Sequence, residues 1–156
     1  MLLAVEAVPA SQRVIAAAVT LAVQSRAEVL VLSVRERDYW RSFVWDVRPA
    51  GEVAEVVTQA LYELRRVNVP ARGVVATARA GKVAEEIIYC AEKHGVSEIV
   101  IGFRRRSWFA RLVGGSVGRQ ILQRSPIPVV AIAASEVELP TGGRVRDYRS
   151  ATAPKR

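Results

Sequence analysis

Residues that carry redox and nucleophilic chemistry are scarce in this chain. Its 156 residues include one cysteine, Cys90, and one histidine, His94. A lone cysteine excludes an internal disulfide. Cys90 lies in EEIIYCAEK among apolar residues at helical spacing, and so reads as a small buried or half-buried hydrophobe. His94 falls at the same helix end with no third partner in view, which leaves a thiol nucleophile without an oriented base. Its own place suits a helix C-terminus, where partial positive charge is favoured. No apolar run approaches the ~20 residues that span a bilayer, so no membrane partner is expected. The opening MLLAVEAVPASQ lacks a basic leader and its apolar run is too short for a signal peptide, so a cytoplasmic location is expected.

Lysine is scarce as well. Arginine supplies 20 of the 23 basic residues, and the net charge is +8. The planar guanidinium donates two parallel hydrogen bonds to phosphate or carboxylate. The excess therefore admits a nucleotide, a nucleic acid or an acidic partner without choosing among them. Part of it belongs to the terminal GRVRDYRSATAPKR and says little about a site. With 51% apolar and 24% charged residues, the chain suits one globular domain with a sizeable core.

Apolar runs of strand length alternate with amphipathic segments. LLAVE (2–6) is followed by SQRVIAAAVTLAVQSR, in which Ile15, Ala18, Val19, Ala22 and Val23 share a helical face and Ser11 is a candidate N-cap. AEVLVLSV (27–34) reads as a buried strand. GEVAEVVTQALYELRR (51–66) repeats Val53, Val56, Val57, Ala60, Leu61 and Leu64 at helical spacing, and Asn68 and Pro70 stop it. GVVATA (73–78), the helix GKVAEEIIYCAEKHG with Val83, Ile87, Ile88 and Ala91 inward, SEIVIG (97–102), a helix over 115–124 and PIPVVAIAA (126–134) complete the pattern.

The order β-α-β-α-β-α-β-α-β implies a parallel sheet with helices on both faces. Right-handed crossovers restrict it to a few doubly wound arrangements, whose ligands bind at the carboxyl ends of the strands. The loops after Val5, Val34 and Gly102 belong to that edge. RERDYWRSFVWDVRPA (35–50) reads as a long loop of mixed charge with two tryptophans. One domain over 1–135 and a disordered tail over 136–156 are expected.

The third of those loops is GFRRRSWFARLVGGS (102–116). Glycine at a strand end lets a phosphate or ribose approach the backbone. Gly115 and Ser116 open a helix, where free N–H groups and the helix dipole favour an anion. The Ser116 hydroxyl can donate to a phosphate oxygen or simply cap the helix.

With its strand-helix order and the closing GSVGRQILQRSPIPVVAI, this stretch resembles the universal stress protein family. Nucleotide-binding members carry Gly-x2-Gly-x9-Gly-Ser/Thr between the fourth strand and fourth helix. Gly102 takes the first place and Gly115-Ser116 the last pair, and LLAVE, AEVLVLSV and GKVAEEIIYCAEKHGVSEIVIG are also similar to family elements. The resemblance spans residues 2–134 and implies a five-stranded parallel sheet in the order 3-2-1-4-5. It implies that Val5, Glu6 and Val34 border an adenine, Gly102 the ribose, and Gly115, Ser116 and Val117 the phosphates. It also implies a homodimer through the last strand, residues 128–133.

The departure is Arg105, which stands where the family has its second glycine. Its side chain either occupies the phosphate volume or neutralises a phosphate through its guanidinium. Gly118 replaces the hydroxyl residue often found soon after Gly-Ser, and Glu6 replaces the usual aspartate.

Two functions follow as expectations. One is a stress-type regulatory protein that binds ATP or a related adenine nucleotide without fast turnover, a slow ATPase at most. Mg2+ is involved only if ATP binds. The other is an interaction module without nucleotide, acting through Trp40, Phe43, Trp45 and Trp108 with the arginines. The same rings can instead fold over the ligand edge. No nucleic-acid partner is expected, since no recognisable motif accompanies the charge.

Overall fold

The computed structural model describes residues 1–6, 12–40, 43–47, 49–103 and 117–133. In chain order they form β1 (Leu2–Ala4), α1 (Gln12–Ser25), β2 (Val29–Trp40), β3 (Phe43–Asp46) and α2 (Ala50–Arg66). Then come β4 (Ala71–Arg79), α3 (Val83–Lys93), β5 (Ile99–Phe103), α4 (Val117–Arg124) and β6 (Val129–Ala133). The expected cap Ser11 and the expected disordered tail lie outside the described residues.

Strands buried on both faces explain the continuous apolar runs. Along β2, Val29 and Val31 pack with Val14, Ile15, Val56 and Ala60 of α1 and α2. Leu30, Leu32 and Val34 alternate to the other side, with Ala84 and Ile87 of α3 and Ile121 of α4. The strand period of two thus divides one apolar run between two cores.

The parallel part of the sheet has the expected order. β1 pairs with β2 and β5, β4 lies outside β2 and β6 outside β5. Read across, the sheet runs β4-β2-β1-β5-β6, which is 3-2-1-4-5 when only parallel strands are numbered. The winding reverses between β1 and β5, which makes their carboxyl ends the switch point.

The sheet departs from expectation in having six strands. Residues 35–50, read from sequence as a loop, contain the second half of β2 and all of β3. β3 is antiparallel to β2, with Arg37 opposite Asp46, Asp38 opposite Trp45 and Trp40 opposite Phe43. Aromatic and β-branched residues favour this pairing. Asp46 fixes it by accepting a hydrogen bond from Arg37 Nε at 2.9 Å, with Arg35 Nε at 3.6 Å.

Backbone hydrogen bonds show which edge of β2 the extra strand uses. Leu30 N–H donates to Met1 O, and Leu32 O accepts from Val5 N–H, so even-numbered peptide groups of β2 face β1. Val29 N–H donates to Pro70 O, and Arg37 O accepts from Ala80 N–H, so odd-numbered groups face β4. Glu36 O accepts from Val47 N–H. β3 therefore continues the edge on which β1 ends.

Two packing details qualify the sequence reading. Val23, expected on the inner face of α1, is 53% exposed, while Val14 is buried instead. Gly73 of β4 lies directly under α2: an added Cβ would stand 2.6 Å from Val57 Cγ1 and 3.0 Å from Leu61 Cδ1. Here glycine is required for the close approach of helix to strand.

Candidate functional site

The register brings four of the expected site residues to one place. Ala4 of β1 is level with Leu32 of β2 and Ile101 of β5. One residue further along come Val5 and Gly102, which follow the last paired level of β1 and β5. Glu6 and Val34 follow at the next level. Residues from three strands thus meet at the switch point.

Their surroundings differ. Val5 is buried and packs into the core under α1 and α2. Its N–H donates to Leu32 O at 2.9 Å. Glu6, immediately beyond, is exposed. Val34 is buried on the α3–α4 side. It lies between the two residues of β2 whose carbonyls serve Val5 and Val47, at the point where the edge passes from β1 to β3. Gly102 is exposed and level with Ile132 of β6.

Val117 is the first residue of α4 and is 39% exposed. A Cβ placed on Gly118 would be 3.5 Å from Ile101 Cδ1. The first turn of α4 is therefore anchored over the residue just before Gly102. A helix placed this way sends its N-terminal amides toward the carboxyl edge of the sheet, where its dipole favours an anion. Arg105, Gly115 and Ser116, together with Arg104, Arg106 and Trp108, lie outside the described residues.

Charged groups tie the helices on this side together. Glu36 Oε1 accepts the N–H of Gly81 at 2.9 Å, joining β2 to the turn before α3. Glu85 of α3 accepts from Lys82 Nζ at 2.8 Å and Arg124 Nη1 at 3.3 Å, which links α3 to α4. The hydrogen bond from Lys82 holds the Glu85 carboxyl below its ordinary range, aided by the charges of Lys82 and Arg124. Among the described residues no three side chains of His, Cys, Asp or Glu converge in a metal-binding cluster. No described helix is long and apolar enough to cross a membrane.

The β2–β3 hairpin is the part of this edge that sequence reasoning missed. Phe43 is 74% exposed, Trp45 45% and Val47 49%. Two of the rings named from sequence are thus displayed to solvent. Paired residues of an antiparallel ladder share a face, so Trp45 lies on the side of Asp38, and Val47 on the side of Glu36. That is the α3–α4 side. The available signal was the apolar, aromatic character of FVW after YW, separated by two residues.

The profile described as the universal stress protein family matches residues 1–133. No curated protein matches the sequence. Among solved structures, the fold is similar to that of a universal stress protein from Archaeoglobus fulgidus: TM-score 0.67, 22% identity, covering 83% of this chain and 95% of that one. It is similar to a universal stress protein from Archaeoglobus fulgidus in complex with dAMP, at TM-score 0.62 and 19% identity, covering 83% and 94% of the two chains. A third, a universal stress protein in complex with cAMP, has TM-score 0.63 and 15% identity, covering 86% of this chain and 98% of that one.

Proposed function

The chain belongs to the universal stress protein family, and we propose that it is a regulatory member that binds an adenine nucleotide at the carboxyl edge of the sheet without fast turnover. The observation that carries this reading is the level of Ala4 with Leu32 and Ile101, directly before Val5 and Gly102, with the first turn of α4 anchored on Ile101. The complexes of structural neighbours with dAMP and cAMP support the class of ligand.

In this reading Val5, Glu6 and Val34 border the adenine. Gly102, with no side chain, leaves the ribose room against β5. Gly115, Ser116 and Val117 present backbone N–H groups to phosphate, which the helix dipole assists. Arg105 is the extra element, and its guanidinium supplies a charge-assisted contact of roughly 1.5–3 kcal/mol. ATP is the natural first ligand to test, and Mg2+ enters with its phosphates. Slow hydrolysis is the most this site would support, because no oriented base or carboxylate pair is assigned to it.

Pairing of two copies through residues 128–133 belongs to the same proposal. β6 is an apolar edge strand, VVAIA, whose residues from Val129 to Ile132 stay partly exposed. An unpaired edge of this kind is closed by a second copy across a twofold axis.

Calorimetry with ATP on the protein and its Arg105→Gly variant tests the site. Binding by the native protein, weakened in the variant, supports the guanidinium as a phosphate contact. Tighter binding by the variant shows that Arg105 obstructs, and absence of binding by both defeats the nucleotide reading.

A second reading is favoured by the exposure of Phe43 and Val44, on opposite faces of the hairpin. A projecting apolar hairpin suits contact with another protein, in which case the chain acts as an interaction module.

A further inference from the structure

We propose that Val47 and Trp45 of the β2–β3 hairpin form a wall at the base end of the nucleotide cleft, so that this hairpin gives the site affinity for the base of its ligand. The inference rests on the nucleotide reading above and adds residues to it.

The first support is the edge that β3 occupies. Val5 N–H meets Leu32 O on one edge of β2, and Val47 N–H meets Glu36 O four residues further along the same edge. Val47 therefore stands on the edge of β2 that also carries β1, beyond the level of Glu6 and Val34. From Val34 to the Glu36–Val47 level is two residues, about 7 Å along the strand. Among the described residues, a base resting against Glu6 and Val34 has Val47 ahead of it in that direction.

The second support is the side of the sheet. Ile121 places α4 on the same side as Leu32 and Val34. Val47 and Trp45 share that side through their partners Glu36 and Asp38. The anion-favouring helix start and the hairpin thus rise from one face of the sheet, with β5 and β1 between α4 and β2. Crossing from β5 to β2 takes two inter-strand steps, about 10 Å. That is the scale of a nucleoside monophosphate from phosphate to base.

The third is chemistry. Val47 and Trp45 keep about half their surface in water, so a flat apolar ligand would find surface to cover. An aromatic face stacks on any base. The opposite side of the hairpin is held by Asp46 against Arg37 and Arg35, which fixes the wall before ligand arrives.

The test is calorimetry of AMP, ATP and ribose 5-phosphate with the native protein, the Trp45→Ala/Val47→Ala variant and the Trp45→Phe variant. Both sites are exposed, and circular dichroism checks that each variant is folded. The double variant is expected to bind AMP and ATP about tenfold more weakly or worse, by loss of one stacked contact. Ribose 5-phosphate binding should stay unchanged, and Trp45→Phe should retain most of the affinity. Unchanged AMP and ATP affinity in the double variant overturns the wall alone and leaves the hairpin as a surface for a protein partner. An equal loss for ribose 5-phosphate also overturns it, since base contact would not be the cause. Failure of the native protein to bind either nucleotide defeats the underlying nucleotide reading and the wall with it.

Discussion

Val47 donates its N–H to the carbonyl of Glu36 at 2.9 Å, on the edge of β2 that also carries β1. One edge thus serves two strands in succession, and the second is antiparallel. The hairpin that results is anchored by Asp46, between Arg37 at 2.9 Å and Arg35 at 3.6 Å. Asp46→Ala removes that anchor. These side chains are partly solvent-exposed, so global stability should fall by only about 1 kcal/mol or less. Amide exchange at Val47 should nevertheless speed up several-fold, because the change acts locally. Unaltered exchange at Val47 would show that backbone pairing alone holds the hairpin.

Gly73→Ala tests the contact between β4 and α2. The added methyl would meet Val57 Cγ1 at 2.6 Å and Leu61 Cδ1 at 3.0 Å. Val57 is β-branched and cannot swing aside easily, so the helix has to move. Overpacking of this sort costs about 1–3 kcal/mol, to be read from urea unfolding. Repeating the substitution in a Val57→Ala background should shrink the penalty. If the penalty is the same in both backgrounds, Val57 is not the obstacle.

Much of this architecture is visible in the amino-acid pattern, for reasons that can be located. Val53, Val56, Val57, Ala60 and Leu64 recur at helical spacing and are buried in α2 as that spacing requires. The apolar strands and their order place Val5, Glu6, Val34 and Gly102 at one edge through topology alone. The hairpin was hidden because RERD puts four charged residues in a row inside β2, and the Arg41-Ser42 connection lacks the Asn-Gly signal of a tight turn. Once the hairpin forms, Trp40 opposite Phe43 sets the register that brings Val47 to Glu36. Val23 misled for another reason: it lies at the margin of the α1 face whose centre, at Ile15, Ala18 and Ala22, is buried.

Cys90 should be an unreactive thiol. It lies on the buried face of α3, and its Sγ–H faces Glu86 Oε1 at 3.6 Å. Burial, followed by the charge and hydrogen bond of Glu86, pushes the thiol up to about 11. At pH 8 only about one thiol in a thousand is ionised, so labelling by a disulfide reagent should be far slower in the native protein than after unfolding. The folded value lies above the ordinary value of 9.0. The contribution of this group to stability is therefore complete below pH 9 and is lost as pH rises toward 11. Cys90→Ala should flatten that part of the stability profile. Rapid labelling of the native protein at pH 8 would contradict both the burial and the shift.

The proposed dimer can be separated from the fold by choice of residue in β6. Ile99 N–H donates to Pro128 O, so the even-numbered peptide groups of β6 face β5. By strand alternation the N–H groups of Val129, Ala131 and Ala133 point away from the sheet. Ala131→Pro deletes one outward donor and leaves the ladder to β5 intact, a substitution that edge strands tolerate. If two copies join by pairing these edges, the native protein should sediment as a dimer at micromolar concentration and the variant as a folded monomer. Ile132→Pro serves as the contrast, because it removes a donor used within the sheet and should lower the thermal midpoint. A variant at Ala131 that remains dimeric would mean that the copies meet through some other surface than the backbone edge of β6.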